Sequence, residues 1–338
     1  MRVGFNPHKD QATDSSAFFH HVVIPVHIPE HDGYFKEAGK ILSLCIESLT
    51  ASCHTGTFIT LVNNGSCTEV VHQLNQWLDQ KRIHEVVHTP KIGKVNAVLK
   101  GLAGHQFPLL TVSDADVLFC SNWQQATYEV FNAFPRAGAV CTTPLSRRLR
   151  YYTQQMYREL FFSKTLRFTE VKNPGAMKAF ARSIDDEELL KDIHLRQNLT
   201  VVRNGVRAVV GAGHFCCTYK ASVYDTFRGN AADTYLGGKA LQLSIDEPVA
   251  RSGYWRLSTE DNYTFHLGNT FEPWMEEQLA SVKKPDEQML PTLPKKPYSK
   301  FLFWVDYQLL PKITSHPVLW RLFLRWKGLD KKSARYYF

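Results

Sequence analysis

The sequence predicts an α/β protein: a Rossmann-like, mainly parallel sheet with helices on both faces, followed by a short, basic, helical C-terminal extension. Three observations predict it. Strand-length apolar runs alternate with segments of helical period from about residue 20 to residue 145. Those runs are apolar throughout instead of alternating with polar residues, as strands covered on both faces are. The charge is also segregated. The chain is +8 overall, yet its last 44 residues hold ten Lys/Arg against two Asp, so the remainder is neutral.

In chain order, His21–Val26 is a β-branched run, closed by Pro25 and His27, and reads as the first strand. Tyr34, Ala38, Ile41, Leu42, Cys45 and Leu49 then form one helical stripe. Thr57–Val62 is a second strand, stopped by the turn signal Asn63-Asn64-Gly65. Glu69–Gln80 turns Val70, Val71, Leu74, Trp77 and Leu78 inward on a helix, and Ile83–His88 is a third strand. A helix after Gly93 carries Val95, Leu99 and Leu102; Leu109–Val112 is a fourth strand, Trp123–Phe134 a helix and Ala137–Thr142 a fifth strand. Tyr151–Asp192 reads as helical and polar, Thr200–Tyr219 as strands broken at Asn204-Gly205, and Tyr224–Gly268 as irregular and loop-built. Pro285–Pro297 reads as a linker. The expected organisation is an N-terminal extension (1–19), a ligand-binding half (20–145), a second half of the same domain (146–280), and a linker with a basic tail (281–338).

Composition excludes several classes. A chain of 338 residues, 44% hydrophobic and 12% aromatic, is globular and large enough for a substantial core. No run approaches the length of a spanning helix, and the polar start carries His8, Lys9 and Asp10 where a secretory signal needs apolar residues, so the expected location is cytoplasmic. The seven cysteines are scattered without zinc-type spacing, and free thiols are expected. The basic excess describes a tail, which argues against nucleic acid as a partner. There is no GxGxxG after the first strand and no GxxxxGK[ST], so a dinucleotide or P-loop site is unsupported.

Ligands of doubly wound sheets bind beyond the C-terminal strand ends. The strongest candidate there is Ser113-Asp114-Ala115-Asp116, directly after the fourth strand. Two carboxylates one residue apart can reach a single divalent cation, and Mg²⁺ or Mn²⁺ favours oxygen ligands completed by substrate phosphates. The alternative is a solvated acidic turn. Lys94, after Gly93 at a helix start, is placed to meet phosphate, with an exposed helix lysine as its alternative.

HVVIPVHIPE, TFITLVNNGS, IGKVNAVLKGL and LLTVSDADVLF occur in the order and spacing of family 2 glycosyltransferases of the GT-A fold, which the chain resembles well over residues 20–145 and more loosely over 200–270. The resemblance implies a metal-assisted, inverting transfer from a UDP- or GDP-sugar to a glycan or lipid-linked acceptor, in cell-surface polysaccharide or lipopolysaccharide biosynthesis. It implies that Pro25, His27 and Glu30 border the nucleoside, and that Asn63 and Asn64 stand where the family more often has aspartates. Asp114 would serve ribose and metal, and Asp116 the metal. A third, distant ligand is expected, with His266 the candidate and His214 its rival. The base would be Asp246 or Glu247, with Asp233 and Glu260-Asp261 as rivals. Trp255 and Arg256 would line the sugar side, and Gly211-Ala212-Gly213 would let backbone approach the donor.

The tail, Tyr298–Leu310 and Pro317–Leu329, reads as two amphipathic helices, with Trp304, Trp320, Phe323 and Trp326 among Lys300, Arg321, Arg325 and Lys327. Aromatic anchors beside basic residues suit an anionic membrane surface, which would place the protein peripherally on the inner face of the cell membrane. Two other functions stay open at this point: a sugar nucleotidyltransferase, and a non-catalytic membrane-associated module on a degenerate transferase fold.

Overall fold

The computed structural model describes residue 4 and residues 17–224, 231–235, 240–285, 289–295 and 298–337. Most of the expected N-terminal extension, parts of the expected 224–268 loop region and parts of the expected linker lie outside the described residues.

Strand β1 (His20–Val26) is followed by α1 (Ala38–Ser52), β2 (Thr57–Asn64), α2 (Thr68–Asp79), β3 (Glu85–Thr89), α3 (Lys94–Gly101) and β4 (Leu109–Ser113). These strands pair in the order β3-β2-β1-β4, all parallel, as their uninterrupted apolar runs predict. Alternate residues of β1 feed opposite faces. Val22, Ile24 and Val26 pack with Leu42, Ile46 and Leu49 of α1 and Val70 and Leu74 of α2, whereas Val23 packs with Ala97 and Val98 of α3. Pro25 is tolerated in this central strand because the ladder to β4 ends at Val23–Val112, so its missing N–H falls where only the β2 pairing continues.

The chain continues through β5 (Val117–Phe119), α4 (Trp123–Ala133), β6 (Ala137–Cys141), α5 (Gln154–Leu160), β7 (Leu166–Glu170), α6 (Pro174–Ser183), α7 (Asp192–Arg196), β8 (Gln197–Arg203), β9 (Val206–Val210) and β10 (Cys216–Lys220). It then forms α8 (Ala221–Tyr224), α9 (Glu247–Arg251), β11 (Trp255–Thr259), β12 (Thr264–His266), α10 (Pro273–Ala280), α11 (Lys300–Trp304), α12 (Leu310–Thr314), α13 (Pro317–Trp326) and α14 (Lys331–Tyr336). The described residues make one ten-stranded sheet, β3-β2-β1-β4-β10-β6-β11-β9-β8-β7, in which β10, β9 and β7 run against the other seven. The sheet is thus mostly parallel in direction, while its second half is joined largely by antiparallel pairs. A separate two-stranded ribbon pairs β5 with β12.

Two elements differ from the sequence reading. The polar 151–192 stretch contains edge strand β7, which pairs with β8 and alternates buried Leu166 and Phe168 with exposed Arg167. The region 224–268 includes the buried strand β11 at the middle of the sheet.

The tail is part of the body. Trp320, Phe323 and Leu324 of α13, with Leu329 and Tyr337, join the core formed by Tyr157, Phe168 and Leu199. Trp320 and Phe323 are therefore core residues and not membrane anchors. The Phe168 N–H donates to Lys327 O at 2.8 Å, and Tyr337 Oη donates to Gln197 O at 3.1 Å, so the tail covers the β7 edge. All seven cysteines are free thiols. No helix among the described residues is long and apolar enough to cross a membrane.

Two fully buried histidines sit side by side on β1. His20 contacts Tyr128 Oη (2.7 Å) and Thr111 Oγ1 (2.6 Å), and His21 contacts Thr60 Oγ1 (2.8 Å). Burial holds both neutral: His20 is lowered well below the ordinary imidazole range, and His21 falls to about 3, with neighbouring histidines adding to each effect. The unfolded chain protonates both below pH 6.5 and the folded chain does not, so stability is full above 6.5 and is lost as pH falls toward 3. Between pH 6 and 5 the two sites contribute a loss approaching ~2.7 kcal/mol per pH unit. Urea unfolding at pH 7.5, 6.0 and 5.0 measures this slope; a flat profile would refute it.

Candidate active site

The site is assembled beyond the C-terminal end of β4. Ser113 closes that strand, and the chain turns through Asp114, Ala115 and Asp116 into β5. Three contacts fix the turn. The Asp114 N–H donates to Phe215 O at 2.7 Å, just before β10. The Phe119 N–H donates to Ser48 Oγ of α1 at 3.0 Å. The antiparallel β5–β12 ribbon pairs Val117 with His266, and the Leu267 N–H donates to Asp116 O at 2.7 Å. The ribbon thereby carries His266 from the far part of the chain to the carboxylates.

Ligand atoms of Asp114, Asp116 and His266 lie within 4.8 Å of one another. His266 Nε2 is 3.4 Å from Asp116 Oδ2. Its Nδ1 is 2.9 Å from Ser183 Oγ, which in turn donates to Phe180 O at 2.8 Å. The serine proton is thus used on the carbonyl, so the network assigns the histidine proton to Nδ1, donating to Oγ and leaving the Nε2 lone pair facing Asp116. Burial raises the Asp116 carboxyl, with His266 opposing that shift. Asp116 Oδ1 is buried without a hydrogen-bond partner among the described residues. A lone pair opposite a carboxylate, with a further buried carboxylate oxygen unsatisfied, fits a divalent cation.

Lys94 Nζ forms an ion pair with Asp114 Oδ1, so the lysine faces the cluster. The helix terminus beside it is covered: the Lys94 N–H donates to Tyr235 O at 3.0 Å, and Asn96 exchanges two 2.9 Å hydrogen bonds with Ala232. The group that Lys94 presents to the cluster is therefore the side-chain ammonium and not its backbone amide. Gly93 is required there, at φ +89°, because a Cβ would lie 2.8 Å from Tyr235 Cα.

Other predicted residues are placed differently. Asn63 Oδ1 accepts from the Ser66 N–H at 2.9 Å and its amide meets His88; Asn64 Oδ1 accepts from the Ile92 N–H at 2.7 Å. Both are buried, and their Oδ1 atoms hold the turn after β2 at the positions where the family more often has aspartates. His27 Nδ1 is 2.9 Å from Asn64 O, Pro25 is half-buried, and Glu30 is exposed. Trp255 and Arg256 do not line a site. Trp255 is buried in the core with its Nε1 donating to Glu159 Oε2 at 3.2 Å, and Arg256 is fully buried. Gly211 is set by packing, since at φ +103° a Cβ there would lie 2.8 Å from the Arg148 backbone.

The expected base, Asp246, is fully buried. Arg256 Nη2 lies 2.6 Å from its Oδ1 and His214 Nε2 lies 3.2 Å from its Oδ2. It therefore has no open face for an acceptor hydroxyl. Burial raises its pKa to about 6, opposed by Arg256. Glu247 accepts from Arg251 Nε at 2.7 Å and from Tyr152 Oη at 3.3 Å. His214 is the partly exposed member of this group, next to Phe215, which anchors Asp114. Its Nδ1 lacks a hydrogen-bond partner among the described residues. Burial, then Arg256, Arg148 and Lys94, lower its pKa to about 2, so it is neutral at physiological pH. Ser183 carries no local sequence signal, and the sequence offers Arg256, Asp246 and His214 as separate candidates without linking them.

The geometry predicts that Asp116→Asn abolishes Mn²⁺ binding, and that Ser183→Ala weakens it about tenfold by releasing the His266 ring. Titration of free Mn²⁺ by electron paramagnetic resonance checks both; unchanged affinity in Asp116→Asn would overturn the site.

The model for the family described as "Glycosyl transferase family 2" matches residues 33–189. No curated protein sequence matches the chain. Similar solved structures include a mannosyltransferase from Pyrobaculum calidifontis in complex with GDP-Man and Mn²⁺ (12% identity, 72% of this chain and 54% of that one, TM-score 0.39). They also include S. aureus TarS 1–349 (10% identity, 92% and 81%, TM-score 0.43) and GalNAc-T7 with UDP, GalNAc and Mn²⁺ (14% identity, 75% and 43%, TM-score 0.44). This chain thus spans about half of that mannosyltransferase chain. The family match covers just under half of the chain and includes the strand that ends in Asp114 and Asp116, so residues 33–189 are similar to glycosyl transferase family 2.

Proposed function

We propose that this protein transfers a sugar, with inversion, from a UDP- or GDP-sugar to a glycan or lipid-linked acceptor, at the inner face of a cell membrane during cell-surface polysaccharide or lipopolysaccharide synthesis. The observation that carries the donor half of this reading is the convergence of Asp114, Asp116, His266 and Lys94 on one point beyond β4. Asp114, Asp116 and His266 would hold a divalent cation, which when bound neutralises the diphosphate leaving group. Lys94 is held beside them by Asp114 and supplies a further positive charge to the same phosphates.

Deprotonation of the acceptor hydroxyl falls to His214. His214 Nε2 lies 3.2 Å from Asp246 Oδ2, and Arg256 Nη2 lies 2.6 Å from the other oxygen of the same carboxylate. Asp246 is a positioning residue in this arrangement.

Thermal shift with UDP, GDP, CMP and dTDP, with and without Mn²⁺, tests the donor site. One nucleotide is expected to raise Tm only with the metal, and Asp116→Ala is expected to remove the effect; at a hundredfold excess over Kd the stabilisation is about 2.7 kcal/mol. No shift with any nucleotide would refute the reading. His214→Ala is expected to lower kcat by about 10²–10⁴-fold while preserving the nucleotide shift. Full turnover in that variant would return the base role to another group.

A further inference from the structure

Helix α13 has two apolar sides. Trp320, Phe323 and Leu324 face the core, whereas Val318, Leu319, Leu322 and Trp326 are 46–64% exposed. The exposed side does not stand alone. The turn after α5 presents Phe161 and Phe162, the latter 84% exposed, and α12 presents Ile313. Phe161, Phe162, Ile313, Leu319, Leu322 and Trp326 together line a cleft of about 1110 Å³. A contiguous, solvent-facing apolar surface rimmed by polar residues is the kind that serves interaction.

The face is held in shape. Lys327 Nζ donates to Leu160 O, Phe161 O and Ser163 O at 3.0, 2.6 and 3.1 Å, and Trp326 Nε1 donates to Phe161 O at 3.2 Å. The end of α13 thus grips the backbone of the turn and leaves Phe162 outward. Arg158 forks onto buried Asp306 (2.6 and 3.0 Å), and Arg150 donates to Thr314 O at 3.0 Å, which clamps the segment around α12 to the body. Lys312, Arg321, Arg325, Lys331, Lys332 and Arg335 are exposed on the same elements and their flanks, and none forms an ion pair among the described residues.

We propose that this composite face, built from α12, α13 and the Phe161-Phe162 turn, docks on an anionic phospholipid bilayer. The apolar side chains enter the acyl boundary and the basic residues meet headgroup phosphates. Charge complementarity selects the occupant: unpaired cations without local acids other than Asp330 favour a negatively charged surface over a second, equally basic copy. The inference deepens the membrane-facing part of the function proposed above and rests on it for its biological sense.

Co-sedimentation of the full chain with phosphatidylcholine vesicles, with and without 30% phosphatidylglycerol, tests it. Binding is expected on anionic vesicles only, weakened at least tenfold by Leu322→Glu with Phe162→Glu, by Arg321→Gln with Arg325→Gln, and by 0.5 M NaCl. Both glutamate positions are exposed, and an unchanged Tm verifies folding. No sedimentation, or equal binding to neutral vesicles, overturns the proposal. So does a dimer in light scattering that the glutamate pair dissolves, because the face would then join two copies. The Mn²⁺-dependent nucleotide shift on the same samples separates the two readings: vesicle binding lost with the shift retained sinks this inference alone, and the reverse sinks only the donor assignment.

Discussion

The pairing of β5 with β12 is the constraint on which the candidate site depends. Three residues on each strand suffice, because the register places His266 opposite Val117 and hence beside Asp116. A one-residue slip would turn His266 to the other side of the ribbon. The ribbon is held from below by Ser48 of α1 and from the side by Leu267, while the Phe215 carbonyl fixes Asp114. Two carboxylates separated by one residue thus become part of a three-ligand cluster through backbone hydrogen bonds made by other segments. The orientation of the imidazole comes from a further element, since Ser183 ends α6 and belongs to neither strand.

A second polar chain lies deeper. Arg256, on the central strand β11, donates to the carbonyls of Tyr151 and Ala212 and pairs with Asp246, which in turn holds His214. Breaking such a buried pair leaves an uncompensated charge, which typically costs about 3–5 kcal/mol. The arrangement therefore gives His214 a fixed ring despite its place in a loop between β9 and β10. Arg256 and Asp246 hold this loop from the core and are themselves closed to solvent.

The C-terminal segment joins these two layers to the outside. Its inner side completes a core that the second half of the sheet cannot close alone, with Trp320, Phe323, Leu324 and Tyr337 among the buried residues and edge strand β7 covered. Its outer side keeps apolar and basic residues facing solvent. One helix serves both ends because its apolar positions are more numerous than a single buried stripe requires.

Local pattern alone determined the parallel half of the fold. Continuous β-branched runs, helical stripes and turn residues specify strands and helices through nearest-neighbour physics, and the family motifs add their order. The Asp114–Asp116 pair was legible for the same reason: its members are close in sequence and follow a recognisable strand. The remainder was decided by tertiary structure. Nothing in SDAD specifies that His266 pairs into register beside it, and nothing in SIDEP shows that Asp246 will be sealed under Arg256. Asn63 and Asn64 look like ligand-facing amides until Ser66 and Ile92 claim their oxygens. In α13 the sequence displays aromatic and basic residues together, but which aromatics face inward depends on which side of the helix the body covers. Side-chain partnership across distant segments is a property of packing and not of composition, so it becomes visible only in the folded chain.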